Sequence, residues 1–93
     1  MLTKLTKVSQ EGHQGYRLRE VYINPASVVM MGYLAPDALK SLKEGLLPQG
    51  VDPRVEFTEL VVDNGNTSAH ITVVGAPQVI ESKLRNARQL LKG

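Results

Sequence analysis

Two runs rich in β-branched and aromatic residues, Phe57-Thr58-Glu59-Leu60-Val61-Val62 and Ser68-Ala69-His70-Ile71-Thr72-Val73-Val74, flank the segment Asp63-Asn64-Gly65-Asn66-Thr67. No other stretch constrains the fold as much. Asparagine and glycine tolerate the positive φ angles that a tight reversal needs, so this pattern predicts an antiparallel hairpin. A chain that commits residues 57–74 to a hairpin must then find further strands or a helix to cover its apolar face, because an isolated hairpin is marginal in water.

The rest of the chain supplies them. Leu2 to Val8 has strand character, Glu11-Gly12-His13-Gln14-Gly15 reads as a turn, and Tyr16 to Ile23 alternates with Tyr16 and Leu18 on one face and Arg17 and Arg19 on the other. Asn24-Pro25 interrupts the ladder, since proline offers no amide hydrogen, and Ser27 to Tyr33 resumes a strand-like run. Pro36 and Asp37 suit the start of a helix in which Leu39, Leu42 and Leu46 recur at helical spacing, and Gly45 is able to end the turn. Pro48, Gly50 and Pro53 mark a loop, so residues 34–54 read as an inserted helix-loop segment. Pro77 opens a last helix whose apolar stripe is Ile80, Leu84, Ala87 and Leu91. The expected fold class is α+β: a mainly antiparallel sheet of about five strands in the order β-β-β-α-β-β-α, with one short inserted helix and a C-terminal helix. At 93 residues the chain is one domain, 1–93.

Composition narrows the chemistry. There is no cysteine, so disulfides, thiolate nucleophiles and thiolate metal sites are excluded. The alternating start, Met1-Leu2-Thr3-Lys4-Leu5-Thr6-Lys7, is unlike a secretory signal, and no stretch nears the ~20 apolar residues of a membrane span, which leads to the expectation of a cytoplasmic protein with no membrane contact. The two histidines, His13 and His70, show no spacing that places two ligands on one helix or strand face, so no metal and no cofactor is expected. No Gly-x-Ser-x-Gly elbow, phosphate loop or dinucleotide fingerprint occurs, and Glu56, Glu59 and Asp63 read as solubilising strand residues; no catalytic residue is assigned and no enzyme is expected.

Binding features are more evident. Leu39, Leu42, Leu46 and Leu47 concentrate apolar surface on the inserted segment, which covers either the chain's own core or a protein partner. Met30 and Met31 point oppositely on a strand, so one fills the core while the other needs a second cover, which a homo-oligomer would provide. Arg17 and Arg19, extended by Lys4 and Lys7 across the first hairpin, form a candidate basic strand face for nucleic acid, although a formal charge of +2 is only a mild excess.

Four short segments carry a family likeness. Leu2-Thr3-Lys4-Leu5, Tyr22-Ile23-Asn24-Pro25, Val61-Val62-Asp63-Asn64-Gly65, and Val73-Val74 ahead of a helix with Val79-Ile80 together resemble the small flagellar FlbD/SwrD-type family and comparable short phage and prophage proteins. Residues 34–54 have no counterpart in that pattern, and Gly75-Ala76-Pro77 stands where the family shows an acidic helix start. The resemblance implies a small accessory or regulatory protein, phage-encoded or flagellar, that binds a host or partner protein complex, in the host cytoplasm if viral. Nucleic-acid binding through the basic strand face is the alternative.

Overall fold

The computed structural model describes residues 2–10, 15–46, 50–52 and 54–92, with side chains up to residue 86. Five strands and two helices follow in the expected order: β1 Thr3–Gln10, β2 Tyr16–Ile23, β3 Val28–Gly32, α1 Pro36–Leu46, β4 Phe57–Asp63, β5 Ser68–Val74 and α2 Pro77–Lys92. A 3-10 turn, Pro25–Ser27, lies between β2 and β3. All pairings are antiparallel and the sheet order is β2-β1-β5-β4-β3, an α+β fold as the pattern predicts. The first strand runs to Gln10 rather than Val8, because β2 begins at Tyr16 and the register that sets Thr3 opposite Ile23 carries on to Gln10 opposite Tyr16.

The local signals act as read. The Asn24 side chain accepts a hydrogen bond from the Ala26 amide at 3.0 Å, and Pro25 occupies the first position of the 3-10 turn, where a missing amide hydrogen costs nothing. In the β4–β5 connection, Gly65 adopts φ +101° while Asp63 accepts from the Gly65 amide and Asn64 from that of Thr67. Asn24-Pro25 and Asn64-Gly65 are therefore turn builders.

The turn also bends the sheet. β2 and β3 are its opposite edges, which four flat strand spacings would set about 19 Å apart. Only residues 24–27 join them, three of these in a turn advancing about 2 Å per residue, so the sheet must curl to bring that corner together. Side chains from both edges, Ile23 of β2 and Val28 and Met31 of β3, accordingly pack into one core with Leu5, Leu60 and Val73 on the concave face. Ile80 and Leu84 of α2 close it, while the side chains of Ala87 and Leu91 lie outside the described set. The start of α2 is tied down: Gly75, at φ +128°, donates its amide to the Glu56 carbonyl at 2.7 Å, and the buried Thr58 hydroxyl donates to the Gly75 carbonyl at 2.7 Å.

A second core lies on the convex face at one end. Leu42 and Leu46 of α1 pack there on Val8 and Phe57, with Tyr16, Leu39 and Val74 partly buried around them. Gly45 is the penultimate residue of α1, one before Leu46. The Tyr16 ring occupies the space where a Cβ at position 45 would project, so glycine's helix penalty of about 1 kcal/mol is offset by close packing of β2 on α1.

Candidate functional site

An edge strand exposes a row of unpaired main-chain donors and acceptors, and soluble proteins usually guard such rows with charge. β2 fits that rule, with Arg17, Arg19 and Glu20 exposed along it. β3 does not. Between Glu20 and Asp37 the sequence has no charged residue, and the β3 segment exposes large apolar side chains: Val29 at 60%, Met30 at 63% and, just beyond the strand, Tyr33 at 72% of full exposure. Val29 is the extra residue of a bulge, since Val28 opposes Val62 and Met30 opposes the adjacent Val61; from Met30 to Gly32 the ladder is regular.

The register explains the relief of this surface. Gly32 opposes Glu59 and has open space where a side chain would stand, which leaves a shallow cavity of about 180 Å³ lined by Met30, Met31, Gly32, Tyr33, Glu59, Val61 and His70. Tyr33 also lines a second depression of about 200 Å³ with Leu34, Leu39, Lys43 and Phe57 among its walls. Exposed apolar surface thus runs from the bulge across Tyr33 to the flank of α1.

On the floor of the first cavity, Glu59 Oε1 lies 2.6 Å from His70 Nδ1. The two residues are diagonal neighbours on one face, because Glu59 opposes Thr72 and His70 opposes Val61. A carboxylate that orients an imidazole is half of a nucleophile-activating arrangement, but the cavity walls supply no serine, threonine or cysteine for it to act upon. Among the described residues no group of three or more His, Asp or Glu converges as a metal site would require. In the α1–β4 loop Asp52 is held below the usual carboxylate range by hydrogen bonds from the Arg54 side chain and then its amide, which shapes a turn and faces no cavity of the β3 surface.

The structure sorts the residues singled out by sequence. Leu42 and Leu46, candidates for a partner surface, are buried in the second core, and Leu39 is partly buried beside them; the helix covers its own sheet because Phe57 and Val8 offer no other cover at that end. Leu47 and His13 lie outside the described residues. The basic stripe divides: Lys7 stands directly opposite Arg19 on the face that also carries Arg17, whereas Lys4 pairs with Tyr22 on the other face, its Nζ 3.9 Å from Glu20. Positions 4 and 7 are an odd number apart, so an unbroken strand cannot put them on one face. Val29 and Tyr33 were not identified as binding residues, although the uncharged run between Glu20 and Asp37 was a usable signal. No helix is long and apolar enough, among the described residues, to cross a membrane. Comparison with protein-family models, with curated proteins and with solved structures finds no match for this chain.

Proposed function

We propose that this chain is a non-catalytic protein-binding module, an accessory or regulatory protein acting in the cytoplasm, that engages a protein partner through the β3 edge and the apolar surface around Tyr33. The observation that carries the reading is the uncharged, exposed edge strand with Val29 and Met30 upon it and Tyr33 just beyond its end. Such an edge offers main-chain hydrogen bonds for a partner strand and side-chain depressions for its alternate residues, the arrangement used in strand addition. A phage or flagellar setting is what the sequence resemblance implies for such a module.

A photo-crosslinking residue at position 33, with one at position 22 on the opposite edge strand as control, tests this in an extract of the source cells. A discrete protein adduct from position 33, none from position 22, and loss of the adduct on adding Met30→Lys are expected. Equal labelling from both positions, or adducts indifferent to Met30→Lys, would defeat the reading.

The second reading, nucleic-acid binding, draws on the like-charged Lys7–Arg19 cross-strand pair, an arrangement that costs stability unless an anion faces it. It requires binding that weakens steeply with salt and that Arg19→Ala weakens by about tenfold, the order lost when a charged contact worth ~1.4 kcal/mol is removed.

A further inference from the structure

We propose that the partner of the β3 edge is a second copy of this chain: two β3 strands pair antiparallel about a two-fold axis near Met31 and join two five-stranded sheets into one. This rests on the reading of the β3 edge as a protein-binding surface and names its occupant.

Three observations converge on self-pairing. The first is exposed apolar surface. Val29, Met30 and Tyr33 stand 60%, 63% and 72% exposed along one edge, and pairing two copies there removes that surface from water on both subunits at once.

The second is chemical match. An occupant of this edge must bring an unguarded strand with no charge to desolvate against Val29 and Met30. The two edges of the sheet differ in this respect: β2 carries Arg17, Arg19 and Glu20, and only β3 meets the requirement. A two-fold axis makes one patch complementary to itself, so each subunit supplies what the other needs. With a net charge of only +2, repulsion between two copies is slight.

The third is shape. The opening above Gly32 has no side chain to fill it, and a Cβ built there meets nothing within 4 Å. In antiparallel pairing about Met31, the partner's Met30 stands opposite Gly32 and reaches that opening, and its flexible thioether suits a shallow, irregular cavity. The bulge at Val29 limits regular pairing to the segment from Met30 onward, which fixes the register.

Sedimentation velocity of the purified chain from about 1 µM to about 500 µM tests the proposal, since self-pairing obeys mass action. Amide hydrogen exchange is read at both ends of the range. A monomer–dimer equilibrium is expected, with β3 amides gaining protection as concentration rises and β2 amides unchanged. Met30→Lys brings two like charges to either side of the axis and is expected to raise the dissociation constant by about 100-fold or more. Val29→Lys should act in the same direction, and Tyr22→Lys, on the other edge strand, should leave the dimer intact. Met30, Val29 and Tyr22 are all exposed, so unchanged far-ultraviolet circular dichroism is the accompanying control.

A chain that stays monomeric throughout the range overturns self-pairing alone, because crosslinking at position 33 can still report a different protein. A dimer that survives both Met30→Lys and Val29→Lys overturns self-pairing and, by showing that the β3 edge is not the contact, counts against the broader reading as well.

Discussion

β2 and β3 terminate the same sheet, and each is hydrogen-bonded to a neighbour on one side only, yet they are built on opposite plans. β2 alternates Arg17, Leu18, Arg19 and Glu20 along its length, and its first residue, Tyr16, is clamped against Gly45 of α1. β3 is shorter, uncharged and exposed at Val29 and Met30, with no helix across its outer side chains. Both strands feed the same concave core through Ile23, Val28 and Met31, so the contrast does not come from burial. It comes from what stands outside the core. One edge is guarded against strand addition and the other is left open to it.

The largest effect that can test this contrast lies under α1. Leu46 is 1% exposed and rests on Phe57 and Val8, so Leu46→Ala removes buried contacts and leaves a space that the strands beneath cannot close. A loss of about 2–5 kcal/mol in urea unfolding is expected. A loss below about 1 kcal/mol would show that α1 lies loosely on the sheet, and the leucines would again be candidates for a partner surface.

The two adjacent methionines give a sharper comparison because they share a strand and a residue type. Met31 packs against the first core, and Met31→Ala should destabilise by about 1–3 kcal/mol, at and below the lower end of the range for buried methionine because its burial is partial. Met30→Ala should change monomer stability by no more than about 0.5 kcal/mol, since its side chain lies mostly in solvent. Equal losses in dilute protein would mean that Met30 has cover within its own chain, and the idea of an open edge would fail.

Much of the fold was legible because its punctuation is local. Asn64-Gly65 makes its hairpin and Asn24-Pro25 its turn through hydrogen bonds that span two or three residues. Sheet order was not legible. β1 joins β5 through a short register, Lys7 to Val73 and Val8 to Thr72, which depends on burying Leu5 and Val73 together and leaves no mark in either strand alone. The site was half legible. Met30 and Met31 were separable by strand alternation, but the helix leucines had the same apolar signature whether they faced their own sheet or a partner. Only the packing of Leu42 and Leu46 on Val8 and Phe57 distinguishes the two cases. Lys4, by contrast, was separable from Lys7 by parity alone.

Another small effect concerns Glu59 and His70, which lie beside the open edge. Their side chains retain 34% and 66% of their exposure, so water screens the contact, and in dilute protein Glu59→Gln should cost less than about 1 kcal/mol. The same substitution becomes informative at high concentration. If a second β3 strand covers the cavity, the pair moves into a less polar setting where a charge-assisted hydrogen bond counts for more. The destabilisation by Glu59→Gln should then grow with protein concentration, whereas Lys4→Ala, which breaks the exposed contact to Glu20 at the far edge, should show no such dependence. Parallel urea titrations at two concentrations read this directly. A Glu59 effect that stays constant while the protein dimerises would place the dimer contact away from β3 and would remove the functional distinction between the two edges.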